Sequence, residues 1–297
     1  MVVGSNPIRP INKSKVIFME YKELTKGVKI PVLGIGTWKI GGGLSPDKSQ
    51  DDIAVKAIRE GIKLGMTHID TAEAYGDGHS EEIVGKVIKP FERERLFITT
   101  KVSPEHFRFD DLVNSIKNSL KRLKVGFVDL YLLHWPNPEI PLKETMKALD
   151  YVVEEGFTRF IGVSNFSIEE MEEAQALTKQ KIVTNQVEYS LLHKGNLLHR
   201  GLEKNLLPYC QKKKIILTAY RPLAKGKLTR PGFKLLDKIA EKYNKTQAQV
   251  ALNWLISKKM VISIPKSIKI EHLKENVGAV GWKLSNNDMG KLNNLFP

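Results

Sequence analysis

The sequence predicts an α/β fold, a single-domain (β/α)8 barrel, and three observations carry that expectation. Short apolar runs of strand length recur eight times along the 297 residues. Segments with helical hydrophobic spacing lie between them, and alternation of this kind marks a parallel sheet built from strand–helix–strand units. The glycine fingerprint of the competing architecture, an open doubly wound sheet, is missing. Gly34-Ile35-Gly36 follows the first run, but Lys39 stands where the third glycine of that motif belongs.

Taken in order, residues 1–18 hold Pro7 and Pro10 and read as an irregular extension ahead of a domain spanning 19–297. Runs at 21–24 and 28–30 flank Lys26-Gly27, a hairpin signal. The strand-like runs are 32–36, 68–70, 96–101, 129–134, 159–164, 183–188, 215–220 and 261–266. The helical segments are 51–65, 80–89, 110–123, 142–155, 168–178, 203–213 and 246–258, with Ser167 and Thr246 placed to cap two of them. Eight such units fit one closed barrel.

Composition narrows the function classes. Hydrophobic residues make up 41% and charged residues 27%, the balance of a soluble globular protein. No apolar run approaches the roughly 18 residues of a membrane span. The opening residues include Arg9, Lys13 and Lys15 but no long apolar core ahead of a small-residue cleavage site, so no secretory leader is expected. Cys210 is the single cysteine, which precludes an internal disulfide and suits a cytoplasmic setting. The net charge is +14, yet Lys and Arg are interleaved with Glu and Asp along the chain. That distribution predicts a solvated surface that attracts small anions, not a nucleic-acid binder.

Four residues concentrate the chemistry: Asp70, Tyr75, Lys101 and His134. Each falls at, or just past, the end of a strand-like run, and the runs are consecutive. In a parallel barrel those ends converge on one mouth. Alone, Asp70 reads as a helix cap and His134 as a structural histidine. Lys101, at the end of a run as apolar as 96–98, needs an anionic partner, and Asp70 on the adjacent strand supplies it. A phenol beside that ammonium can deliver a proton near neutral pH, because the cation favours the phenolate and lowers its pKa. The histidines show no zinc-like spacing, and no metal is expected.

An ordered set of segments resembles the aldo-keto reductase family, compact prokaryotic members in particular. The segments are Leu33-Gly34-Ile35-Gly36-Thr37-Trp38, Asp70-Thr71-Ala72-Glu73-Ala74-Tyr75-Gly76, Thr100-Lys101, residues 129–136, Ile161-Gly162-Val163-Ser164-Asn165-Phe166, Asn185-Gln186, Tyr220-Arg221-Pro222-Leu223 and Ile264-Pro265-Lys266-Ser267. The resemblance implies a (β/α)8 barrel whose bottom is closed by the N-terminal hairpin, usually monomeric. It also implies an extended NADPH, or NADH, bound without a Rossmann domain, and a small-molecule carbonyl substrate. Tyr75 would be the general acid, Lys101 its modulator, Asp70 the partner of Lys101, and His134 the group that orients the carbonyl. Trp38 and Trp135 would wall the substrate pocket beside Tyr75 and His134. Ser164, Asn165 and Gln186 match positions that hold the nicotinamide carboxamide, and Tyr220 matches the stacking aromatic. Lys266, Ser267 and the start of the helix after Ile270 match the adenosine-phosphate end. The further cofactor-side positions are Gly36, Thr37, Trp38, Asp70, Arg221, Pro222, Leu223, Ile268, His272, Glu275 and Asn276.

Two departures bear on the cofactor. Many relatives carry Ser at the position of Arg221, and many strictly NADP-dependent relatives carry Arg at that of His272. The expectation is therefore NADPH preferred, but not strictly. The resemblance extends to barrel-type regulatory subunits of potassium channels, which bind cofactor with little turnover. With all four chemical positions present, a reductase is the expected function.

Overall fold

The computed structural model describes residues 18–195 and 201–295. The expected extension over 1–18 lies outside them except for Phe18. β1 (Tyr21–Thr25) and β2 (Val28–Pro31) form the antiparallel hairpin. The alternation follows: β3 (Ile35–Gly36), α1 (Asp51–Lys63), β4 (His68–Asp70), α2 (His79–Ile88), β5 (Phe97–Val102) and α3 (Phe109–Leu123). Next come β6 (Val128–Leu133), α4 (Leu142–Glu154), β7 (Thr158–Ser164), α5 (Ile168–Ala176), β8 (Ile182–Glu188), α6 (Leu206–Lys213) and β9 (Ile216–Tyr220). Two helices in succession, α7 (Lys234–Tyr243) and α8 (Gln247–Ile256), precede β10 (Val261–Ser263), and α9 (Ile270–Val277) and α10 (Asn286–Asn293) complete the fold.

Strands β3 to β10 pair in sequence order, all parallel. The two edges meet: Ser263 N–H donates to Val32 O at 2.9 Å, Gly34 N–H to Ser263 O at 2.8 Å and Gly36 N–H to Pro265 O at 3.3 Å. Gly36 is required at this seam, because a Cβ there would lie 2.8 Å from Ile264 O. Capping boxes start α5 at Ser167–Glu170 and α8 at Thr246–Gln249, each satisfying donors that a helix start leaves unpaired. Three elements differ from the sequence reading. β10 stops at Ser263, since Pro265 cannot donate to a ladder. Helices α7 and α10 were not foreseen, although Leu236, Ile239 and Ala240 give α7 a buried stripe.

Strand residues point alternately into the barrel and toward the helices. The outward set packs against the helices in one continuous apolar layer. The inward set at the barrel bottom forms a second cluster: Phe97, Leu130, Leu132, Val183, Ile216 and Ile262, closed by Leu24 and Ile30 of the hairpin. Each such side chain contributes roughly 1.5–3 kcal/mol by leaving water. The hairpin is also fastened electrostatically. Lys22 Nζ donates to Ile256 O at 2.8 Å and to the carbonyls of Lys258 and Val261. The carbonyls of Ile256 and Lys258 lie at and just past the end of α8, where the helix leaves acceptors unpaired and the macrodipole favours a cation, while Val261 opens β10. Burial lowers the pKa of this lysine to about 7, so the hydrogen bonds hold it as much as the charge does. Among the described residues no helix is long and apolar enough to cross a membrane.

Candidate active site

At the mouth, the ends of β4, β5 and β6 bring the expected residues together. Lys101 Nζ donates to Asp70 Oδ1 at 2.6 Å, to Thr71 O at 2.7 Å and to Tyr75 OH at 3.3 Å. All of these groups are buried; Lys101 is 0% exposed. The β4–β5 register sets Asp70 beside Thr99, so Lys101 reaches back over one inward position to meet it. The Tyr75 ring makes edge contacts with Trp38 at 4.9 Å and with His134 at 5.5 Å. Trp38 is half-buried, and Trp135, next in sequence to His134, is 39% exposed. Gly76, at φ +59°, turns the chain directly after the phenol; a Cβ there would strike Gly41 O at 2.3 Å.

Burial penalises the Lys101 ammonium, but Asp70 and Tyr75 more than offset it, so its pKa rises and it stays charged. For Tyr75 burial dominates and pushes the phenol up, with Lys101 opposing. From the cation alone a lowered value is expected. The cation does pull in that direction, but desolvation outweighs it, and the phenol is fully protonated at neutral pH. His134 is held down at about 3 by burial, with Lys101 adding to the effect, so its ring is neutral.

A second polar string runs from this cluster. Gln186 Nε2 donates to Asp70 Oδ2 at 2.7 Å, and Ser164 Oγ donates to Gln186 O at 2.9 Å. Asn165, at φ +64°, donates from Nδ2 to Ser164 Oγ at 2.9 Å and accepts from Tyr220 OH at 3.0 Å. Tyr220, Asn165, Ser164 and Gln186 therefore share one network with Asp70, Lys101 and Tyr75. Thr37 is buried and donates to Asp70 O at 3.0 Å. Arg221 pairs with Glu188 at 3.1 Å; Pro222 is buried and Leu223 half-buried behind it.

The remaining cofactor-side positions stand apart, between β10 and α9. Lys266 and Ile268 line a cavity of about 120 Å³ with Lys39, Gly41, Gly42 and Asp47. Burial lowers the pKa of Lys266, and the nearby Lys39 lowers it further. Neither ammonium belongs to an ion pair among the described residues. Ser267 Oγ accepts the Lys269 N–H at 3.0 Å and so shapes the entry to α9. His272 is exposed on the first turn, Glu275 is half-buried and Asn276 is buried. A larger groove of about 370 Å³, lined by Met171, Tyr209 and Ile215, holds none of these residues.

Sequence reasoning missed Lys39 and the grip of Gln186 on Asp70. Lys39 sits beside Trp38 ahead of three glycines, a position that could have marked it. The Gln186 contact joins residues 116 apart and left no local signal.

The family model described as Aldo/keto reductase family matches residues 32–296. Methylglyoxal reductase YeaE of Escherichia coli is 37% identical over 274 residues, covering 91% of this chain and 92% of that protein. Among solved structures, the thermostable aldo-keto reductase Tm1743, determined with the inhibitor epalrestat, is 47% identical with a TM-score of 0.87; the alignment covers 93% of this chain and 100% of that one. An aldo/keto reductase from Klebsiella pneumoniae, determined with NADP and acetate, is 38% identical with a TM-score of 0.81, over 92% of this chain and 93% of that one.

Proposed function

The chain belongs to the aldo/keto reductase family, and we propose that it is an NADPH-dependent carbonyl reductase of the alcohol dehydrogenase class, converting aldehydes and ketones to alcohols. The observation that carries this reading is the buried Asp70–Lys101–Tyr75 contact, 2.6 Å and 3.3 Å, with the His134 ring 5.5 Å from that of Tyr75. A protonated phenol beside a fixed cation is the starting state of an acid catalyst.

The groups present fit the cofactor. Two ammoniums, Lys39 and Lys266, line one cavity with the single carboxylate of Asp47, and neither is ion-paired among the described residues, which suits phosphate. The first turn of α9 adds backbone donors. At the mouth, Tyr220 offers a ring face, and Ser164, Asn165 and Gln186 line up beside Asp70. When bound, the dihydronicotinamide supplies a hydride to the carbonyl carbon. Tyr75 donates its phenolic proton to the carbonyl oxygen as that oxygen gains charge. Lys101 stabilises the resulting phenolate, and Asp70, held by Gln186, keeps the ammonium in place. His134, being neutral, offers a ring N–H to the oxygen without a competing charge. Trp38 and Trp135 shield the carbonyl from water.

NADPH is preferred over NADH, because Lys266 and Ser267 can meet the extra phosphate, while His272 cannot form the fork of an arginine. One chain supplies every group named, so a monomer suffices. The buried thiol of Cys210 suits a cytoplasmic setting. A panel of small and aromatic aldehydes, methylglyoxal and simple ketones, assayed separately with NADPH and NADH, tests the reading. Carbonyl-dependent oxidation, faster with NADPH, is expected. Tight cofactor binding with no turnover on any carbonyl would overturn it.

A further inference from the structure

We infer that Glu73 is a positioning residue for proton transfer: its carboxylate ties the loop carrying Tyr75 to the strand end carrying Lys101 and so sets the spacing of phenol and ammonium. The inference rests on the reading of Tyr75 as the proton donor.

Glu73 lies two residues before Tyr75, in the loop leaving β4. Its side chain is only 9% exposed. The carboxylate oxygen Oε1 accepts the backbone N–H of Ser103 at 2.7 Å and Nδ1 of His106 at 2.9 Å. Ser103 is buried and follows β5 directly, two residues after Lys101. The Glu73 backbone N–H also reaches Lys101 O at 3.3 Å. Main chain and side chain of one residue thus grip the same strand end on both sides of Val102.

The opposite flank of the loop is held elsewhere. Gly76 N–H donates to Gly43 O at 2.6 Å, and Ser80 N–H to Tyr75 O at 3.2 Å. Tyr75 is therefore stretched between two anchorages, and Glu73 supplies the one on the Lys101 side. A carboxylate so far from water ordinarily sits against a lysine or arginine. Here its ion-pair partner among the described residues is His106, whose own side chain is 46% exposed. The burial is thus only partly compensated, as expected of a carboxylate kept for the backbone donor that it holds. The phenol–ammonium distance of 3.3 Å is already at the long end for a hydrogen bond. A small retreat of the loop would remove the bond and weaken the charge interaction.

The test compares Glu73→Ala, Glu73→Gln and Glu73→Asp with wild type, with Tyr75→Phe as the control. Glu73→Ala is expected to lower kcat by about tenfold to a hundredfold, as misplacement of a catalytic group does. Its NADPH dissociation constant, read by fluorescence titration, should stay within about twofold, since uniform binding is untouched. The alkaline limb of the kcat–pH profile should move up by about half a unit as the phenol loses its cation. Glu73→Gln keeps an oxygen for the Ser103 N–H and should recover most of the rate and the limb. Glu73→Asp keeps the charge but falls short of Ser103. It should show the same limb shift, and it decides the matter should Glu73→Ala fail to fold. Unchanged kcat and limb in Ala or Asp, with Tyr75→Phe inactive, would overturn this inference and leave the proposed proton donor standing. A loss of rate without the limb shift, or one that Gln does not rescue, would reduce Glu73 to a structural residue and overturn it too. Wild-type turnover in Tyr75→Phe would remove the proposed proton donor, and the role of Glu73 with it.

Discussion

The bottom and the mouth of the barrel are built from the same strands and serve opposite ends. Along β5 the inward positions read Phe97, Thr99, Lys101; along β6 the inward side is Leu130 and Leu132, with His134 just beyond. At the bottom Phe97, Leu130 and Leu132 meet the hairpin residues Leu24 and Ile30 in an apolar cluster. One layer up, His68 Nε2 meets Thr99 Oγ1 at 3.0 Å, and burial holds the ring neutral with a pKa of about 4. At the mouth the same alternation presents an acid, an ammonium and an imidazole. The difference teaches how the fold divides its labour. Apolar burial near the hairpin supplies stability that the mouth then partly spends on keeping charges out of water. Substitutions at the two ends should therefore separate rate from stability.

The largest expected effect is at the mouth. Tyr75→Phe removes one oxygen and should lose about 10²–10⁴-fold in carbonyl reduction while its unfolding midpoint in urea stays near that of wild type. Lys101→Met would break the clean division: besides crippling turnover it leaves Asp70 buried without its cation, a loss of about 3–5 kcal/mol readable by denaturant titration. At the bottom, Ile216→Ala should cost about 2–5 kcal/mol of stability with kcat changed little. A large fall in kcat there would show that the two ends are not separable. Away from both, Lys266→Ala should weaken NADPH by about tenfold, the scale of one charge-assisted contact, and NADH much less. Equal weakening of both would remove Lys266 from the phosphate site.

The smallest effect concerns pH. Burial pulls the His106 pKa down, but the hydrogen bond and charge of Glu73 lift it above its ordinary value, with Glu105 and Asp111 adding to the rise. A cation whose folded pKa is raised contributes stability that is present below the unfolded value of about 6.5 and lost as pH climbs through the folded one. His106→Gln should thus lower Tm slightly at mildly acidic pH and not at all once the histidine is neutral. The half-exposed ring keeps the difference small. An equal difference at all pH values would exclude the charge as its source.

Strand–helix alternation and the four mouth residues were legible because both are local. A strand end followed by Tyr or Lys is visible in a few residues, and parallel topology does the rest. The sign of the Tyr75 shift was not legible, because desolvation depends on Trp38 and His134 closing over the ring. Glu73 reads as one more loop carboxylate until the turn after β5 folds back onto it. Helix α7 carries a readable stripe, but the segment around it is rich in Lys, Gly and Pro and reads as a loop.

Lys22 has a consequence for how the chain is made. Its ammonium waits for carbonyls up to 239 positions away, and Val32 waits for the Ser263 N–H. During synthesis the first barrel strand thus emerges with one edge unpaired, and it stays so until Ser263 has left the ribosome. Contacts this distant in sequence are slow to form and leave edges open to wrong partners. The hairpin that closes the bottom can cover the apolar side chains of the nascent sheet early. Its lysine can lock in place only when α8 and β10 arrive, so it is β10, last of the strands among the described residues, that seals the barrel.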